Sequence, residues 1–223
     1  MTVLLVLATF AIFILIDYYR SKQPALQLAV QPRPAAPASQ RAFPIVVAGF
    51  RVPAHLSYHP GHTWAAKEGS DLVRVGLDDF AARLAGKVDH IQLPDRGRWV
   101  RQGQGAVSLK RDGVKLAMTS PVEGTVVDVN EAVLRDPELA RRDPYGEGWL
   151  MLVNAPDAKL SFRNLLGGPL ARWWTEESAS RLQRQMPATA GMLAQDGGFA
   201  IEDVGSSLPD DKWLELGREF FLV

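Results

Sequence analysis

The first pattern along the chain is an unbroken apolar run. Thr2 to Ile16 reads TVLLVLATFAIFILI without a charged or strongly polar residue, and Asp17-Tyr18-Tyr19-Arg20 follows. Apolarity on every side, rather than along one stripe, predicts a helix in lipid and not a core helix. Counted through the tyrosine pair, whose rings suit the headgroup level, the stretch just reaches bilayer length. A cleavable leader would carry Lys or Arg ahead of the run and small residues at a cut site. Neither is present. Residues 1–20 are therefore expected to form one retained transmembrane anchor. Residues 21–50 lose every periodicity, and Gln23 to Pro44 is rich in Pro, Ala and Gln. That composition predicts a semi-rigid, basic linker.

From about Phe50 to Asn154 short alternating runs recur between turn residues. They are Asp71–Gly76, Val88–Leu93, Gly105–Lys110, Val114–Met118, Gly124–Val129 and Trp149–Val153, with breakers such as Pro94-Asp95, Asp112-Gly113 and Ser120-Pro121 between them. Many short strands at close spacing predict one antiparallel β domain, a sandwich or small barrel, over residues 51–155. Helical pieces are expected at Leu77–Leu84 and near Asp136–Arg142. Residues 156–223 read as a helical extension. Leu170 to Met186 puts Leu170, Trp173, Trp174, Leu182 and Met186 on or near one face, and Pro187 ends it. Asp210-Asp211 is placed to cap a last helix carrying Trp213, Leu214, Leu216, Phe220 and Phe221. Both helices either pack back on the β domain, the preferred reading, or offer Trp173, Trp174, Trp213, Phe220 and Phe221 to a partner.

Composition narrows the chemistry. The 223 residues include no cysteine, which excludes a disulfide framework, a thiol nucleophile and Cys-ligated metal. Lys and Arg number 25 and so do Asp and Glu, a balance that argues against a nucleic-acid binder. The layout is uneven: Arg20, Lys22, Arg33, Arg41 and Arg51 meet no acidic residue between them. Positive charge next to the apolar run keeps that side cytoplasmic. His55, His59 and His62 sit close together, but in a Pro- and Gly-containing segment without a carboxylate cluster, so no metal is expected. No phosphate loop, nucleophile elbow or paired carboxylates stand out, and no enzymatic activity is expected.

The β region carries a family pattern. In order it shows His62-Thr63-Trp64, Val75 to Phe80, Leu93-Pro94 with Gly97, Val100 and Gly103, then Ser120 to Gly124 and Val129 to Ala132. Pro137-Glu138-Leu139 and the string DPYGEGW from Asp143 to Trp149 complete it. Over about Tyr58 to Val153 the sequence resembles the H protein of the glycine cleavage system. The resemblance implies a lipoyl-type hybrid barrel-sandwich, mainly β. It also implies a carrier role, in which a lysine on an exposed hairpin bears lipoate and shuttles an aminomethyl group between partner enzymes. The chemistry of such a carrier belongs to the cofactor and the partners.

At the position that matters this chain departs. The family lysine lies eight residues before the proline of the Ser-Pro pair, which here is Gly113. Asp-Gly between alternating strands is a strong hairpin signal, since a type I′ turn needs positive φ at both central residues. Gly113 is then the tip, with Arg111 opposite Val114 and Lys110 opposite Lys115. Attachment at Lys115 or Lys110 would move the cofactor root about 6–7 Å along the strand. The expected protein is therefore a divergent member without lipoate. It would act as a structural or docking subunit of a membrane-associated complex in a bacterial inner (cytoplasmic) membrane, single-pass, with its β domain in the cytoplasm. Lys110, Arg111 and Lys115 form a candidate docking tip beside the aromatic residues above. The alternative is a glycine cleavage carrier lipoylated on Lys115. A transport adaptor of the membrane-fusion type, which needs long heptad hairpins, finds no heptads here.

Overall fold

Alternating apolar positions form strands close to where the pattern puts them. In the computed structural model, which describes Ile14 and residues 45–186 and 203–222, six strands match the predicted runs. They are β5 (Leu72–Leu77), β6 (His90–Gln92), β8 (Gly105–Arg111), β9 (Val114–Thr119), β10 (Gly124–Val129) and β11 (Met151–Asn154). Five more were not foreseen: β1 (Ile45–Val47), β2 (Phe50–Val52), β3 (Ser57–His59), β4 (Thr63–Lys67) and β7 (Trp99–Val100). Strand β1 begins inside the stretch read as linker and pairs with β2 in a small hairpin, Ile45 opposite Val52. These strands belong to one unit of the chain, Phe43–Val223. The apolar run of the expected anchor, Ile14 apart, and the linker up to Pro44 lie outside the described residues. Among the described residues no helix is long and apolar enough to cross a membrane.

Two sheets face each other. One has six strands in the order β3-β4-β5-β11-β10-β7, the other three in the order β6-β8-β9, and the named strand pairs are all antiparallel. Inward residues of both, Val73, Val75, Met151 and Val153 from the first and Val107, Leu109, Leu116 and Met118 from the second, belong to one buried cluster. Period-two alternation explains the assignment, since each strand sends every second side chain to this interior. The mainly β expectation holds.

Helix α1 (Asp79–Ala85) follows β5 where the helical piece was expected. The Asp78 carboxylate accepts from the Ala81 amide at 2.7 Å, satisfying a first-turn donor. Gly86 ends the helix at φ 64°, and a Cβ there would run into the backbone of Ser206. The helical piece expected near Asp136–Arg142 is α3 (Glu138–Arg142), and a short helix that was not foreseen, α2 (Glu131–Arg135), precedes it. Asn130 explains α2: its side chain accepts from the Ala132 amide and donates to the carbonyls of Glu147 and Trp149.

The extension is helical as well, with α4 (Ala158–Arg163), α5 (Gly168–Gln185) and α6 (Asp210–Phe221). Its apolar face turns inward. Trp213, Leu216, Phe220 and Phe221 are buried members of the main core. Helix α6 lies against β9 and α1, with the Phe220 ring 5.0 Å from that of Phe80 and the Trp213 indole N–H donating to the Ala85 carbonyl. Trp213, Phe220 and Phe221 are therefore core residues and not a partner surface, because α1 and β9 supply the apolar face that buries them. The expected cap is corrected too. Pro209 stands at the N-cap, Asp210 and Asp211 fall in the first turn, and the Asp210 carboxylate is taken by Arg111.

Candidate functional site

The β8–β9 hairpin has the turn that its sequence demands. Asp112 has φ 48° and Gly113 φ 81°, Arg111 pairs with Val114 and Lys110 with Lys115. A Cβ built on Gly113 would meet nothing within 4 Å, so the tip points into open space. The turn is braced from behind, where the Asp112 amide donates to the Asp89 carboxylate at 2.8 Å and the Asp89 amide to the Lys110 carbonyl.

Alternation splits the three basic candidates. Lys110 and Lys115 share the outer face, and His90 on β6 stands directly opposite Lys110, so three basic residues form a row across the sheet. Arg111 shares the inner face with Val107 and Leu109 and is only 7% exposed. Its guanidinium donates to the carbonyls of Gly205 (2.6 Å) and Leu208 (3.1 Å) and to the Asp210 carboxylate (2.8 Å). Its other side covers the Trp213 ring, 4.5 Å from the centroid. Arg111 is thus withdrawn from the docking tip, because the start of α6 uses every face of it. Lys110 and Lys115 remain available, Lys110 half-buried and Lys115 exposed.

Of the tryptophans on α5, Trp173 is 63% exposed, whereas Trp174 is half-buried with its ring 4.3 Å from that of His62. His62 itself is 1% exposed, at φ 60°. It lies between the rings of Phe80 (4.0 Å) and Trp174, with Nδ1 2.8 Å from the Asp78 carboxylate. That is the packing role of a core histidine. The His62 amide donates to the His59 carbonyl at 2.9 Å; the His59 Nδ1 accepts from the Gly61 amide at 3.0 Å, and burial, with His62 nearby, pushes its pKa down. Among the described residues no three His, Cys, Asp or Glu side chains could hold a metal ion.

A groove that the sequence did not announce runs beside the hairpin. It has a volume of about 360 Å³ between the 93–104 loop and the outer face of β8 and β9, and its lining includes Arg98, Trp99, Arg101, Gln104, Ser108 and Lys115. The signal was there in Arg96-Gly97-Arg98-Trp99-Val100-Arg101, three arginines around an aromatic residue. Among the described residues, of these three arginines Arg96 alone has carboxylate partners, Asp128 and Glu131.

The motif residues that carried the family resemblance hold the other end of the fold together. The Tyr145 hydroxyl donates to the Arg51 carbonyl and accepts from the Asp79 amide, and the Pro144 carbonyl accepts from the Trp64 indole. A family model described as Glycine cleavage H-protein matches residues 56–168. The chain belongs to the glycine cleavage H-protein family. The glycine cleavage system H protein of Xanthomonas campestris pv. campestris is 38% identical over 106 residues, 48% of this chain and 81% of that protein. The H protein of Xanthomonas oryzae pv. oryzae matches to the same extent. A crystal structure of an H protein from Mycobacterium marinum shares 31% identity over 47% of this chain and 86% of its own, with a TM-score of 0.43. H proteins are carriers and not enzymes. The matched span ends at the start of α5, so α5 and α6 lie beyond it.

Proposed function

We propose that this H-protein family member keeps the carrier fold without the carrier cofactor and serves as a docking subunit of a membrane-associated complex. The observation that carries the reading is Gly113, which occupies the tip of an intact type I′ hairpin where the family pattern sets its lysine. A carrier needs a side chain at that point to bear its arm. Inner-face Arg111, tied to Gly205, Leu208 and Asp210, supports the same reading, since it couples the hairpin to α6 rather than leaving it free. The apolar run from Thr2 to Ile16 holds the protein in a bacterial inner membrane, and the basic residues after it keep the domain on the cytoplasmic side. Protein partners are bound and no nucleic acid is.

The second reading, lipoylation of Lys115, is favoured by one observation: the side chain is exposed near the tip. Intact mass of the protein from its native membranes, with fragmentation across Leu109 to Met118, separates the two. An unmodified peptide from cells whose other lipoyl proteins are modified is the expected result. A lipoyl adduct on Lys115 or Lys110 would overturn the proposal and restore a carrier.

A further inference from the structure

We infer that the groove between the 93–104 loop and the outer face of the hairpin is a docking site for an extended acidic segment of a partner protein. The inference rests on the docking reading and names the surface and the chemistry of its partner.

Three cations line the groove, Arg98, Arg101 and Lys115, against one carboxylate, Asp95. Among the described residues none of the three cationic side chains has an ion-pair partner. Elsewhere the molecule pairs its arginines readily, as Arg51 and Arg83 do with Asp79 and Arg96 with Asp128. The facing pair of Lys115 and Lys110 extends the positive track from the groove onto the open sheet. Like charges directly opposite each other on neighbouring strands destabilise a sheet by up to about 1 kcal/mol, which a bound carboxylate would relieve.

Shape and composition select a peptide over a bilayer. The cations line a recess, which an extended chain enters and a lipid surface does not. Trp99 lines the same recess at 52% exposure and offers an apolar anchor, the usual companion of arginine at interface centres. Arginine forks hold carboxylates bidentately, giving register as well as affinity.

The test uses the full-length chain in phosphatidylcholine nanodiscs and a fluorescent peptide of alternating Glu and Asp with one central Leu. Saturable binding is expected, weakening as salt rises. Arg98→Ala/Arg101→Ala should weaken it by about tenfold or more through two lost charge-assisted contacts. A pair on α5, which packs against β1, β2 and β3 and does not line the groove, changed as Arg172→Ala/Arg184→Ala, should leave it within about twofold. Equal loss in both variants would reduce the effect to net charge and overturn the site, as would unchanged binding in the first. Peptide binding abolished by phosphatidylglycerol in the nanodisc would make lipid the occupant and also overturn it. Failure here with an unmodified hairpin leaves the non-lipoylated docking reading standing, whereas a lipoyl adduct together with peptide binding does the reverse.

Discussion

The Arg111 guanidinium holds two backbone carbonyls, a carboxylate and an aromatic face at once. Buried carbonyls stripped of a charged donor keep their desolvation cost, about 1–3 kcal/mol for each group left unsatisfied. Arg111→Ala should therefore destabilise the protein by about 3 kcal/mol, which for a domain of this size lowers Tm by roughly 6–12 °C. Differential scanning calorimetry checks it, and a loss below about 1 kcal/mol would return Arg111 to the class of solvated surface cations. Arg111→Lys should recover only part of the loss, since an ammonium cannot span three acceptors in one plane. The residue looks like a hairpin-tip cation in sequence because its acceptors lie more than ninety positions away. The alternation did hold the answer to which side it faces, two residues after Leu109.

At the scale of elements, features set by near neighbours were legible in the sequence. Asp112-Gly113 specified its turn, and the alternating runs specified six strands, because turn geometry and pleat act over a few residues. Strands β1 to β4 were hidden because they are three to five residues long and interrupted by Pro53, Pro60 and Gly61. Helix α6 was visible, but not the surface that receives it, and so its aromatic residues fitted either a core or a partner. Gly217 shows how close that fit is. Ala in a helix interior is worth about 1 kcal/mol over Gly. Here a Cβ would overlap the buried Leu116 methyl groups, and overpacking costs about 1–3 kcal/mol. Gly217→Ala should thus be net destabilising by about 1 kcal/mol, yet stabilising in a Leu116→Ala background that opens the space. Urea denaturation of the four proteins of that cycle measures the sign change.

For the whole molecule, pH reports how the family domain and the helices beyond it are joined. Burial lowers the pKa of His59 from 6.5, and its Nδ1 must stay unprotonated to accept from the Gly61 amide. The unfolded chain then binds more protons, so stability falls as pH drops below about 6.5. Glu219, lowered from 4.5 chiefly by its hydrogen bonds from Gln185 on α5, and also by Arg181, adds a second loss as pH falls below about 4.5. On the alkaline side burial raises Tyr58 and Tyr145 above 10.0. The folded state then keeps protons that the unfolded chain gives up, and stability declines as pH rises past about 10. Urea midpoints should form a plateau between about pH 6.5 and 10, and His59→Gln should flatten the upper part of the acid slope.

The open space around Gly113 separates ancestry from occupation. The residues that mark this chain as an H protein, Trp64, Pro144 and Tyr145 among them, are bound into the framework by hydrogen bonds that any change would disturb. A Cβ at Gly113, where the proposed reading sets the family lysine, would meet nothing within 4 Å. A lineage could lose its cargo there by one substitution with no packing to repair, whereas a side chain regained at φ 81° would strain the turn. Kinship is written in the interior of this fold and, on the proposed reading, employment at one open tip, so a name inherited through the first says little about the second.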